Sequence, residues 1–279
     1  MIARAYHRMG YQVVNIGSDD LSAGIEFLRE LQREIHVPLI SANLLDQQDG
    51  KPIFKSHMVL DLGGIRAGVF GLTSDVRHNK GVTPKGYVIS NPITAAKRVV
   101  AELGKDCDII VALSNQGSLK EYTKLVQQME EIQFIFGSGG RGTYHQTIRS
   151  DRNWKAFLFR ARTKGRYLGR IDLKVLKGSR DFVDLSRKAN IEGQINMIEK
   201  QLDSYRRGTG RAKSIPRDKR EEYIKKLEKF MNRSEARLSK LERDASLNST
   251  FTNTIVPLDN KVKEDPEMIE WVDQFKRGQ

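Results

Sequence analysis

Along the first 177 residues, short apolar runs rich in Val, Ile and Phe alternate with longer stretches of helical periodicity. The runs at 12–16, 38–43, 65–72, 108–113 and 133–136 have the length and β-branched content of buried strands. Between them, 21–35, 92–103 and 119–129 repeat apolar residues every three or four positions. In the first of these, Ile25, Leu28, Leu31 and Ile35 share one face. Asp20 or Ser22 suits the start of that helix, and Asn91 before Pro92 suits the start of the next. Strands alternating with helices predict an α/β layered sheet. Two hairpins add antiparallel strands: 54–62 with 65–72, turned at Gly63-Gly64, and 155–162 with 167–176, turned at Thr163-Lys164-Gly165.

After about Lys188 the pattern changes. The stretches 191–205 and 217–247 read as charged helices with one apolar seam. In the second, Tyr223, Leu227, Phe230, Leu238 and Leu241 keep three-or-four spacing, with one break near Arg233-Ser234. The link over 208–216 is glycine-bearing and basic and reads as flexible. Two such helices bury their seam by packing as an antiparallel hairpin. A strand at 251–258 and a short helix at 266–275 follow. The expected division is an α/β domain over 1–188, a basic helical hairpin over 189–248, and a strand with a short helix over 249–279.

Charge sharpens this picture. The net charge is +13, and between Arg187 and Asp244 there are 17 Lys/Arg against 10 Asp/Glu. Arg206, Arg207, Arg211, Lys213, Arg217, Lys219 and Arg220 face a single acid, Asp218, which makes the loop a candidate contact for an acidic protein. No aromatic residue is interleaved in the loop, which argues against nucleic acid as its ligand. Pairs such as Glu221–Lys225 and Glu222–Lys226 suit the solvated faces of helices.

No apolar run approaches the roughly 20 residues that span a bilayer, and residues 1–8 contain no stretch of signal-peptide length. The expectation is a cytoplasmic protein, or an export signal lying upstream. Cys107 is the one cysteine, which excludes an internal disulfide, a cysteine-based zinc site and a CxxCH haem attachment. The five histidines are His7 and His36 in or beside helices, His57 in a strand, and His78 and His145 in loops. None has the spacing of paired metal ligands, and His145 is the one nearest a motif. Gly137-Ser138-Gly139-Gly140-Arg141-Gly142 lacks the Lys-Ser/Thr of a P-loop and reads as a plain glycine-rich loop.

The segment Met9-Gly10-Tyr11-Gln12-Val13-Val14-Asn15-Ile16-Gly17 resembles the strand that leads into the GNHE motif of 5′-nucleotidase-type metallophosphoesterases. The match continues through Leu39-Ile40-Ser41-Ala42-Asn43-Leu44, Gly68-Val69-Phe70-Gly71-Leu72-Thr73, 109–117, 135–141 and 167–173, in order and at family-like spacing. The resemblance implies a layered sheet sandwich flanked by helices. It also implies two divalent ions, such as Mn, Zn or Mg, held by His, Asp and Asn at strand ends, where they activate water for phosphoester hydrolysis.

At those positions this chain departs from the motifs. GNHE appears as Gly17-Ser18-Asp19-Asp20, LSH as Leu113-Ser114-Asn115, and GGHTH falls on Gly137-Ser138-Gly139-Gly140-Arg141. The degenerate ligand positions are Ser18, Asp19, Asn115, Gly139 and Arg141. The DxH and GD motifs and the nucleotide-recognition domain have no counterpart in this sequence. The expectation is a noncatalytic structural or interaction module that binds no metal cofactor. The alternative is an active metal-dependent phosphoric monoester (nucleotide) hydrolase with an altered or partner-completed site. The resemblance also implies a periplasmic or extracellular setting. Through the segment Ile255-Val256-Pro257-Leu258-Asp259 to Met268, it implies a multihaem cytochrome as a partner.

Overall fold

The computed structural model describes residues 2–74, 86–115, 117–138, 145–152, 154–160 and 165–278. Contacts divide the chain into two units, one of residues 1–169 with 255–279 and one of residues 170–254.

In the first unit, the main sheet has six strands. They are β4 (His57–Asp61), β5 (Arg66–Leu72), β7 (Ile109–Ser114), β8 (Phe134–Gly137), β9 (His145–Arg149) and β10 (Lys155–Arg160), in the order β4-β5-β7-β8-β10-β9. The four inner strands are parallel, and antiparallel β4 and β9 close the two edges. Smaller pairings are made by β1 (Val14–Asn15) with β2 (Leu39–Ile40), and by β3 (Leu44–Asp46) with β6 (Tyr87–Ile89). The hairpin at Gly63-Gly64 forms as expected, with both glycines at positive φ.

Helices α3 (Pro92–Leu103) and α4 (Leu119–Gln128) cover the sheet. Asn91 caps α3 by accepting from the Ile93 and Thr94 amides, and Ser118 with Glu121 forms a capping box on α4. Val99, Val100 and Leu103 of α3 and Tyr122, Leu125 and Val126 of α4 pack with Phe70, Ile110, Ile135 and Leu158 in one core. A second core gathers Leu28 and Ile35 of α2 (Ile25–Ile35) with Ile16, Leu39, Leu44 and Tyr87. The start of the predicted first helix is a separate 3₁₀ turn, Asp20–Ala23, because Gly24 at φ 89° breaks it from α2. α1 (Ile2–Arg8) and α7 (Pro266–Arg277) complete the unit, with the Arg8 guanidinium over the Trp271 ring.

The second predicted hairpin is not formed. β10 lies between β8 and β9, while β11 (Tyr167–Lys174) joins a different, three-stranded sheet beside β13 (Ser249–Pro257) and β12 (Phe182–Asp184). The two runs adjoin in sequence, yet both hydrogen-bonding edges of β10 are taken by β8 and β9, and α4 packs on it, leaving no edge for its neighbour in the chain.

In the second unit, α5 (Lys188–Arg207) and α6 (Arg217–Leu247) are antiparallel, held in register by Arg206–Glu228 at 2.7 Å and Lys188–Glu242 at 2.8 Å. The seam differs from the expected one. Lys188, Ile191, Ile195, Ile198, Leu202 and Tyr205 face Ile224, Leu227, Met231, Ser234, Leu238 and Leu241, each row stepping three and four residues alternately. That is a coiled-coil repeat. Tyr223 and Phe230 lie outside it and are half exposed. No break occurs at Ser234, which is buried and donates to the Phe230 carbonyl one turn back.

The link also differs from the flexible segment expected. Gly208 caps α5 in the left-handed conformation, a 3₁₀ turn runs over Gly210–Ser214, and Ala212 is buried. No described helix is long and apolar enough to cross a membrane.

Candidate functional site

In open α/β sheets the carboxyl ends of the strands form the crevice where ligands bind. Here Leu72, Ser114, Gly137 and Arg160, the last residues of β5, β7, β8 and β10, lie in one register row. The chain therefore delivers Thr73-Ser74, Asn115 and Ser138 to one edge, and the turn after β1 adds Ser18, Asp19 and Asp20.

These polar groups bond mainly to one another. Asn115 Oδ1 accepts from the Ser74 amide at 2.6 Å, and its Nδ2 donates to Ser18 Oγ at 3.3 Å. Asp20 Oδ2 accepts from the Gly17 amide at 2.7 Å. Asn43 is fully buried and takes part in four bonds. Its Nδ2 donates to the Thr73 and Ser90 carbonyls at 2.8 and 3.1 Å. Its Oδ1 accepts from the Thr73 amide and the Ser41 hydroxyl at 2.8 and 3.3 Å. The Thr73 hydroxyl in turn donates to the Ile16 carbonyl, which ties β1 to the end of β5.

Two buried atoms of the cluster have no hydrogen-bond partner among the described residues, Asn15 Oδ1 and Ser74 Oγ. Asn15 is pressed against Gly71, where a Cβ would overlap Asn15 Oδ1 and come within 2.7 Å of the Ile40 carbonyl oxygen. Gly71 thus permits the close approach of three chain segments.

Farther along the edge, the Tyr122 hydroxyl donates to the Ser114 carbonyl at 3.2 Å, and the Arg160 guanidinium sits 5.3 Å from the ring centroid. Burial pushes the Tyr122 phenol above its ordinary range, the nearby Arg160 charge opposing it. Arg160 Nε is buried without a hydrogen-bond partner among the described residues.

Of the sequence-predicted ligand positions, the structure brings Ser18 and Asn115 into direct contact and sets Asp19 in the same turn as Ser18. Gly139 and Arg141 lie outside the described residues. His145, expected in a loop, instead begins β9 and stacks on the Phe159 ring at 4.8 Å. His57 lies in β4, 3.7 Å from Glu102; His78 is outside the described residues.

The resemblance implies a pair of divalent ions at these positions. No group of three His, Cys, Asp or Glu side chains among the described residues is placed to hold a metal. Asn115 spends its carbonyl oxygen on a backbone amide, and Ser18 offers only a neutral hydroxyl. Asn43 and Thr73, the best-connected members of the cluster, carry a visible signal in the sequence: polar residues embedded within or ending apolar strand runs.

The predicted basic contact site is partly neutralised by its own helices. Arg206 pairs with Glu228, Arg207 with Asp203 at 2.8 Å, and Arg217 with Glu221 at 3.6 Å. Glu221 therefore reaches Arg217 rather than the expected Lys225, whereas Glu222–Lys226 forms as expected. Arg220 lies over Gly208, where a Cβ would collide with its guanidinium. Lys213 and Lys219 are exposed, and Arg211 belongs to the 3₁₀ turn of the link.

No protein-family model matches the chain. It is similar to the 5′-nucleotidase of Vibrio parahaemolyticus, 24% identical over 228 residues that cover 68% of this chain and 40% of the relative. The 5′-nucleotidase of Vibrio cholerae is 30% identical over 115 residues, covering 39% of this chain and 21% of the relative. The chain thus spans well under half the length of these relatives. Among solved structures, the 5′-nucleotidase precursor of Thermus thermophilus superposes with a TM-score of 0.55 at 22% identity, covering 63% of this chain and 38% of that one. Sequence and fold agree that this chain is a 5′-nucleotidase-type metallophosphoesterase relative, matched over part of that family's length.

Proposed function

We propose that this chain is a noncatalytic member of the 5′-nucleotidase group, in which the phosphoesterase scaffold serves as a structural or interaction module. One observation carries the reading: Asn115, at the strand end where a ligand histidine belongs, is locked between the Ser74 amide and the Ser18 hydroxyl. A strand-end side chain engaged at both its oxygen and its nitrogen by an internal network is a poorer metal ligand than a histidine, and without the metal no water is activated. The names of the relatives supply the substrates for the test. Purified protein is assayed with nucleoside monophosphates and an aryl phosphate in the presence of Mn²⁺, Zn²⁺ or Mg²⁺. The expected result is no chelator-sensitive hydrolysis. Turnover of about 1 s⁻¹ or more that a chelator abolishes overturns the proposal in favour of an active hydrolase with a rearranged or partner-completed site.

A further inference from the structure

The coiled-coil repeat of α5 and α6 sorts every residue of the hairpin onto a flank, and the two flanks are unlike. Writing the inward rows as a and d, the e positions of α6 are Glu221, Glu228, Glu235 and Glu242. Those of α5 are Glu192, Glu199 and Arg206. In an antiparallel pair the e positions share one flank. Here that flank is acidic and crossed by the Arg206–Glu228 pair, with Lys188 reaching Glu242.

The opposite flank, made of the g and c positions, carries Tyr223, Lys226, Phe230, Arg233, Arg237 and Lys240 on α6, with Asp244 as its one acid. On α5 it carries Gln194, Met197 and Gln201, all uncharged. Phe230 is 50% exposed and Met197 61% exposed. Arg233 and Arg237, one turn and two turns from Phe230, make no ion pair with a described residue. Lys226 and Lys240 are already held by Glu222 and Asp244.

We infer that this flank is a docking groove for an acidic amphipathic helix. Such a helix would lay apolar side chains on Met197 and Phe230 and set its carboxylates against Arg233 and Arg237. The inference rests on the reading of the chain as an interaction module but uses a surface distinct from the basic loop.

Charge complementarity selects this occupant. A second copy paired through the same flank would set like charges together, which is destabilising, and one offering its acidic flank would build an open-ended assembly that sedimentation detects. Single-stranded nucleic acid needs successive free ring faces, whereas the Tyr223 ring is covered by Tyr205 at 5.6 Å and Lys226 at 5.8 Å. That leaves Phe230 as the open ring.

The test uses the full chain and a fluorescent three-heptad peptide with Leu at its inward positions and Glu beside them, read by anisotropy at low and moderate salt. Binding is expected, weakening as salt rises. The double variant Met197→Ser, Phe230→Ser should lower affinity about tenfold or more. The variant Arg233→Gln, Arg237→Gln should lower it several-fold and flatten the salt dependence. Glu235→Gln, on the other flank, should leave it unchanged. Helical content by circular dichroism checks that each variant is folded. Absence of binding, or equal binding by parent and all variants, overturns the inference. So does binding of single-stranded DNA or phosphatidylserine vesicles in place of the peptide, or a dimer in sedimentation that Phe230→Ser dissociates. Chelator-sensitive hydrolysis in the activity assay would overturn the noncatalytic reading while leaving the peptide result standing, so the two fail separately.

Discussion

The strand-end cluster and the helical hairpin use polar residues in opposite ways. At the cluster, Asn43, Thr73, Ser41, Asn115 and Ser18 are turned inward and bond to one another and to the backbone. On the hairpin, Arg233, Arg237 and Lys213 point their charges at water. A buried amide left unpaired is costly, whereas a solvated guanidinium costs little and is held by little. The first region therefore bonds mostly within itself, Asn15 Oδ1 and Ser74 Oγ being the exceptions among the described residues, and the second has binding capacity to spare. Under the proposed reading, the strand ends serve the fold and the hairpin serves contact.

The severest way to break this comparison is to remove the centre of the cluster. Asn43→Ala strands the amide and the carbonyl of Thr73 in a buried site, and should destabilise the protein by about 3 kcal/mol. Chemical denaturation measures it, and a loss well under 1 kcal/mol would show that water or a rearranged side chain replaces Asn43 easily. Gly71→Ala is the next largest. It forces Asn15 and the strand carrying Ile40 apart and should cost roughly 2 kcal/mol by the same measurement, as overpacking does. An unchanged midpoint would mean the cluster is loose.

The mildest test is on the hairpin. Ser234→Ala removes a hydroxyl bonded only to its own helix and raises helix propensity, so it should stabilise the hairpin by about 0.5 kcal/mol, read as a higher thermal midpoint. A lower midpoint would show that the buried hydroxyl has a partner in α5 and that the hairpin shares the self-satisfied character of the cluster.

Several elements were legible in the sequence for local reasons. The limits of α3 follow from Asn91-Pro92, those of α6 from Pro216 and the polar end at Asn248, and the β4–β5 turn from Gly63-Gly64. The strand pairing of 155–176 was misread because adjacency in sequence favours a hairpin, while burial of both faces of β10 favours a parallel partner. The hairpin seam was misread at Tyr223 and Phe230 because aromatic residues attract an apolar assignment. The three-four alternation through Ser234 selects Ile224 and Met231 instead, and a small polar residue fits a narrow layer that hydrophobicity alone does not reveal.

The sequence by itself determined the α/β class and the resemblance to 5′-nucleotidases, because these depend on residue identity and local periodicity. Only the tertiary structure decided that Asn115 is bound to Ser74 and Ser18, that Asn43 anchors the strand ends, and that the hairpin's charges divide into an acidic and a basic flank. The reason is physical: a hydrogen bond or a shared flank joins residues far apart in the chain, and their meeting is fixed by strand register and helix phase rather than by any one residue's chemistry.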